Sequence, residues 1–262
     1  MTFETTDTAI RTTILAKLKE IEQKEQVKIL HAVESGSRAW GLASPDSDYD
    51  VRFIYIRHRE DYLRLEEIPD FIDWELNEVL DINGWDITKA LRHFHRSNAT
   101  LYEWCYSPIV YASAPQWAQV EQAVRPYFSC RASMYHYYGT ANKNFHTYLK
   151  GEQVNYKKYF YVLRPLLACQ WISQRQTPPP VLFGQLADAL LDDELRPMVE
   201  TLTARKQQML ESGQGPHFAP LDQYIERQLG QLKTVIDSWQ EERLTDWQAL
   251  DALFLSLVGQ MD

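Results

Sequence analysis

"GSRAWGLASPDSDYDVRF", residues Gly36 to Phe53, opens on a glycine and a serine, crosses a polar stretch and closes on two aspartates one residue apart. Residues 48–56, DYDVRFIYI, alternate like a strand, with Val51, Phe53 and Tyr55 on one face and Asp48, Asp50, Arg52, Ile54 and Ile56 on the other. Asp48 and Asp50 then project the same way, with carboxylates about 7 Å or less apart. Such charges repel, which raises their pKa values and weakens the fold unless a cation compensates. A plainer account makes Asp46, Ser47 and Asp48 turn formers and leaves Asp50 on a solvated sheet face. The residues just upstream argue for more. VKILHAV (27–33) reads as a strand running into Gly36-Ser37 and a helical SRAWGL. A glycine there lets backbone approach a ligand, a helix start offers free N–H groups to an anion, and Ser37 adds a hydroxyl. A phosphate cradle at one end of the loop and a hard-cation site at the other complement each other, because Mg²⁺ (or Mn²⁺) takes carboxylate oxygens and keeps its remaining positions for water and substrate phosphates.

Outward from this stretch, residues 7–25 place Ile10, Ile14, Leu15, Leu18 and Ile21 at helical spacing behind Asp7 as N-cap, and FIDWELNEVLDI (71–82) supplies one or two more strands. From Asp86 onward the patterns are helical. Strands early and helices late predict an α+β chain: a small mixed-sheet domain over 1–113, then a helical bundle over 114–262. The 262 residues are 45% hydrophobic and 24% charged, as in ordinary globular proteins, and no apolar run approaches the roughly 20 residues of a membrane span. The N-terminus lacks the features of a signal peptide, so a cytoplasmic location and no membrane partner are expected. Cys105, Cys130 and Cys169 are odd in number and far apart, which suits packed thiols better than a disulfide framework or a zinc site. A net charge of −9 disfavours indiscriminate polyanion binding but leaves room for a local basic patch.

A strand, Gly-Ser, about ten residues and then Asp-h-Asp-h, with h apolar, as in VESGSRAWGLASPDSDYDV, resembles the signature of the DNA polymerase β-like nucleotidyltransferase superfamily. More narrowly, GSRAWGLASPDSDYDVRFIY, DINGWDITKALR, LYEWCYSPIVY and KKYFYVLRPLLACQWI are similar to nucleotidyltransferases of the YcgL/RlaP type, over residues of about 30 to 180. The last 80 or so residues carry no such motif. The resemblance implies a polymerase β palm-like fold and Mg²⁺-dependent transfer of a nucleoside monophosphate from an NTP to a hydroxyl. Asp48 and Asp50 would hold the metals and Gly36 and Ser37 the triphosphate. It also implies a third carboxylate on a following strand, to share a metal and help deprotonate the acceptor. Asp81, flanked by Leu80 and Ile82, is preferred to Asp86, which fits a helix N-cap ahead of ITKALRHF. The implied acceptor is an RNA 3′ end in a repair pathway. A small molecule or protein acceptor, and a catalytically silent nucleotide- or RNA-binding module on the same fold, are the alternatives.

The helical half has a signal of its own. Between Arg131 and Arg164 six Lys or Arg residues face one acid, Glu152, and seven of the fifteen tyrosines fall there. Lys157, Tyr161 and Arg164 share a helix face that could bind nucleotide phosphates or stack a base, the competing account being a solvated charged face. Pro165 should kink this helix and leave the Tyr161 carbonyl without its N–H partner. Arg38 could reach a phosphate or pair with Asp46 or Asp48. Glu75 and Glu78 read as solvated, Trp40 and Trp85 as packing residues, and His93 and His95, two apart on a helix, diverge too far to share a metal.

Overall fold

A computed structural model of the chain describes residues 8–44, 47–77, 79–208, 214–240 and 243–261. Asp7, Asp46 and Glu78 lie outside the described residues.

The first half runs α1 (Thr8–Glu25), β1 (Val27–Glu34), α2 (Gly36–Ala39), β2 (Tyr49–Arg57), α3 (Arg59–Tyr62), β3 (Phe71–Leu76), β4 (Leu80–Asp86), α4 (Ile87–His95), α5 (Ala99–Cys105) and β5 (Val110–Ser113). Five strands form one mixed sheet in the order β3-β4-β2-β1-β5. β2 is antiparallel to β1 but parallel to β4, so α3 and β3 serve as the crossover that a parallel pair requires. FIDWELNEVLDI thus yields two strands, turned at Asn77, whose side chain accepts the N–H groups of Val79 and Leu80.

Alternation along β2 sorts its side chains between two cores. Val51, Phe53 and Tyr55 pack with Ile14, Leu18 and Ile21 of α1, the i, i+4, i+7 stripe read from the sequence. Ile54 and Ile56 face the other way, onto α4 and α5. Phe53 lies opposite Gly84 in the β2/β4 register, and a Cβ at Gly84 would overlap the Phe53 ring, which is fully buried and cannot swing aside. Gly84→Ala is expected to cost about 1–3 kcal/mol through overpacking. Urea unfolding checks this, with a wild-type midpoint counting against the close packing.

The second half continues with α6 (Trp117–Val124), a 3₁₀ turn (Arg125–Tyr127), α7 (Cys130–Tyr148), β6 (Val154–Asn155), α8 (Tyr156–Arg175), α9 (Phe183–Leu190), α10 (Arg196–Gln208), β7 (Gln214–Gly215), α11 (Ala219–Ser238) and α12 (Gln248–Gly259). Helices α7 to α11 share a third core, so the α+β class with a helical second half is what the chain adopts. The expected division at residue 113 needs correcting in one respect. Buried residues of α6 and α12, among them Leu250, Leu253 and Leu257, join the core under the second sheet face rather than the helical cluster. Apolar surface on Leu30, Val33, Ile54 and Ile56 is covered by whichever helix reaches it, and sequence order does not decide which.

Pro165 lies inside α8 as expected, and the Asn144 side chain of α7 donates to the Tyr161 carbonyl at 2.9 Å, replacing the N–H that proline lacks. All three cysteines are buried thiols, and burial pushes those of Cys105 and Cys169 up. No helix among the described residues is long and apolar enough to cross a membrane.

Candidate active site

β1 delivers Glu34 to the edge of the site, and the chain turns through Ser35 and Gly36 into the single turn of α2. Gly36 has φ +60°, and a Cβ there would overlap the Asp50 carboxylate. Glycine is therefore required twice at this position, for its dihedral and for the contact. Asp50 is fixed from both sides of its backbone: its carbonyl accepts the Ser35 N–H at 2.8 Å, and its N–H donates to Glu34 Oε1 at 2.8 Å.

β2 starts at Tyr49, one residue later than its alternation suggested, so Asp48 stands just ahead of the strand and is exposed. The parallel register sets Asp50 directly beside Asp81 on β4. Neighbouring strands are about 4.8 Å apart, which puts both carboxylates on one patch of one sheet face. Asp86 instead caps α4, accepting from the Thr88 N–H at 2.8 Å and the Tyr62 hydroxyl at 3.0 Å. Arg52, two residues beyond Asp50 on the same face, reaches both carboxylates. Its Nη2 donates to Asp81 Oδ2 at 2.6 Å and to Asp50 Oδ1 at 3.2 Å. Its Nη1 donates to the carbonyls of Asp81 at 2.9 Å and Val51 at 3.1 Å.

The loop between α2 and β2 is laced shut by its own side chains. Ser37 Oγ meets Ser47 Oγ at 3.3 Å, and Ser47 Oγ also accepts the Ser44 N–H at 2.9 Å. Arg38 lies over the Tyr49 ring and donates to the carbonyls of Ser47 at 2.6 Å and Asp48 at 2.9 Å. These donations go to backbone oxygens rather than to the Asp48 carboxylate.

Burial dominates the electrostatics. It pushes the Asp50 carboxyl up, opposed by Arg52 and reinforced by Asp48 and Asp81. It pushes Glu34, 1% exposed, up to about 7, although the Tyr111 hydroxyl donates to Glu34 Oε2. Between the ordinary value of 4.5 and about 7 the folded state binds more protons at Glu34 than the unfolded chain, so its contribution to stability falls as pH rises through that window. Glu34→Gln should flatten the decline, and urea unfolding at pH 5 and pH 8 reads it directly. An unchanged slope would mean that Glu34 is not the group responsible.

On the helical side the expected Lys157–Tyr161–Arg164 face is corrected at Arg164. That side chain is 3% exposed and pairs with Glu103 Oε1 at 2.8 Å, with its guanidinium 4.4 Å from the Trp40 ring. Glu103 also accepts from the Tyr137 hydroxyl at 2.7 Å and from Trp40 Nε1 at 3.4 Å. Trp40 follows α2 directly, so this buried network docks the Gly-Ser turn onto the helical half. Tyr161 packs edge-on against Trp40 and carries Lys158 over its ring, while Lys157 is half-buried at the start of α8.

Three contributors here have roles that the sequence alone does not assign. Glu34 is legible as the single acid closing an apolar strand before Gly36, and Arg52 falls on the Asp50 face without an evident role. Glu103 leaves no local signal, since its partners come from residues 40, 137 and 164. Among the described residues no three His, Cys, Asp or Glu side chains gather closely enough to form a ready metal cage. The donors present, two adjacent carboxylates with Asp48 nearby, fit Mg²⁺, which commonly takes one or two protein carboxylates and completes its shell with water and phosphate.

A family model described as "RNA repair pathway DNA polymerase beta family", RlaP, matches residues 10–256. The chain belongs to this family. The RlaP match spans nearly the whole chain, beyond the stretch whose motifs carried the resemblance. Protein YcgL of Bacillus subtilis (strain 168), described as uncharacterized, is 42% identical over 250 residues, covering 95% of this chain and 96% of that protein. The crystal structure at 1.90 Å resolution of a nucleotidyltransferase-like protein from Exiguobacterium sibiricum 255-15 is similar over 95% of this chain and 89% of that one. At 15% identity and a TM-score of 0.31 that likeness is too loose to carry an inference. Membership of RlaP gives the coarse class, a polymerase β-like nucleotidyltransferase of a family tied to RNA repair.

Proposed function

We propose that this protein transfers a nucleoside monophosphate from an NTP to the 3′ hydroxyl of an RNA in a Mg²⁺- or Mn²⁺-dependent reaction. One observation carries the reading: Asp50 and Asp81 stand side by side in register, against a glycine at which any Cβ would overlap the Asp50 carboxylate. A pure binding surface gains nothing from that repulsion.

Asp48, Asp50 and Asp81 would hold the cation, which when bound neutralises triphosphate charge and acidifies the attacking hydroxyl. Glu34 and Ser35 hold the Asp50 backbone so that its carboxylate meets the substrate already oriented. Gly36 and Ser37 would receive the triphosphate at the turn Trp40 docks. The acceptor oxygen forms its bond to the α-phosphorus in line as the bond to pyrophosphate breaks, and the hydroxyl proton passes to Asp81. Lys157 and Tyr161, on the part of α8 near Trp40, are the candidates for contact with nucleotide or RNA.

Labelled NTPs, offered singly with Mg²⁺ and with or without RNA, test this. Label transferred to RNA and lost on Asp50→Asn supports it. A second reading, nucleotide binding without transfer, is favoured by Arg52, which already offsets part of the charge of the carboxylate pair. Nucleotide retained but never transferred to RNA, small molecule or protein selects that reading.

A further inference from the structure

The carboxylate pair already has a cation, and it comes from the chain itself. The Arg52 side chain is 18% exposed, and a single nitrogen of its fork reaches one oxygen of each carboxylate. The second nitrogen is held by two main-chain carbonyls, so the fork is pinned by acceptors from both β2 and β4. Asp50 therefore has two unlike oxygens. Oδ1 is taken by Arg52, while Oδ2 lies toward Gly36. A cation bridging Asp50 Oδ1 and Asp81 Oδ2 would need the oxygens that the guanidinium occupies, whereas one on the Asp50 Oδ2 side would not.

We propose that Arg52 is a displaceable internal counter-ion that keeps the Asp50–Asp81 pair closed to divalent cations until a triphosphate is present. The inference rests on the proposed metal-dependent reading of this site. Its logic is charge balance. Replacing a guanidinium by a divalent ion leaves a released arginine that needs an anion within reach, and a substrate's phosphate groups supply one through the bidentate geometry that arginine favours. Cation and nucleotide then bind cooperatively, because each removes an obstacle to the other. It also follows that the resting pair is ordered without metal, since the fork holds two like charges that would otherwise push apart.

The test is a Mn²⁺ titration read by the paramagnetic resonance signal of the free ion, with melting temperature in parallel, on the full chain with and without a non-hydrolysable nucleoside triphosphate. Wild type should bind an additional Mn²⁺ only with the triphosphate. Arg52→Gln should bind it without nucleotide, at least about tenfold more tightly than the limit set by wild type under the same conditions. It should also melt lower than wild type in chelator and recover on adding Mn²⁺. Asp81→Asn in the Arg52→Gln background should abolish the gain. If Arg52→Gln does not fold, Arg52→Lys, which keeps the charge but not the planar fork, should show a smaller gain of the same sign. If wild type binds Mn²⁺ through Asp50 but neither Arg52 variant binds more or tighter, the counter-ion proposal is overturned and the metal-dependent reading stands. If no form binds Mn²⁺ with or without triphosphate, both fall.

Discussion

Asp50→Asn is expected to reduce nucleotidyl transfer by at least about 10²-fold, the loss typical of removing one transition-state electrostatic contact. Folding should survive. Burial and the neighbouring Asp48 and Asp81 push the Asp50 carboxyl up, so its ionised form is a burden on the folded state that asparagine relieves. Because the Glu34 and Ser35 bonds use the Asp50 main chain, the substitution leaves them in place. Metal-free stability at neutral pH should be unchanged or raised, while the thermal shift produced by Mg²⁺ with nucleotide shrinks. Near-wild-type turnover at saturating Mg²⁺ would remove Asp50 from the reaction. A variant melting far below wild type in chelator would instead make it a structural acceptor.

Arg164→Ala should be more destabilising than Gly84→Ala, at about 3–5 kcal/mol, because it removes a buried guanidinium and leaves the half-buried Glu103 without its cation. The Tyr137 hydroxyl remains bonded to Glu103, but one neutral donor does not replace a guanidinium. The helical spacing of Lys157, Tyr161 and Arg164 suggests a phosphate-gripping face, which predicts the opposite pattern: normal stability with a raised KM for the nucleotide. Denaturant unfolding together with NTP titration separates the two. A stable variant with weakened nucleotide binding would restore the sequence-based role. Glu103→Gln, which keeps an acceptor for Arg164 and Tyr137 while giving up the one that meets Trp40, should cost less than Arg164→Ala.

What the sequence makes legible here is local. Two-residue alternation puts Val51, Phe53 and Tyr55 in one core and sends Asp50 and Arg52 to the opposite face, because a strand's period is set by backbone geometry alone. The N-cap pattern separates Asp86 from Asp81 on equally local grounds, and the Pro165 prediction needs only the missing N–H. What stays hidden is the choice of partner across long sequence distances. Nothing near residue 164 announces that Glu103 and Trp40 will enclose it, and a lysine-, arginine- and tyrosine-rich helix looks the same whether its charges face water or a buried acid. Arg52 is the intermediate case: its face is readable, but its grip on Asp81 depends on β4 pairing with β2 in parallel, and alternation gives no strand order. Among the site residues named from sequence, Gly36, Ser37, Arg38, Asp48, Asp50 and Asp81 come together around one turn and one strand pair, while Arg164 is withdrawn into the network behind Trp40.

The packing of α12 against α4 and α6 has a consequence for the chain while it is being made. α4 and α6 leave the ribosome about 120–150 residues before Gln248 begins the helix that packs on them. At roughly 5–20 residues per second, that apolar helix face waits on the order of 6–30 s for its cover. During that interval the nascent protein presents a sticky apolar surface to its surroundings, a natural client for a holdase. Any premature stop ahead of residue 248 should therefore send the product into aggregates rather than leave a soluble fragment.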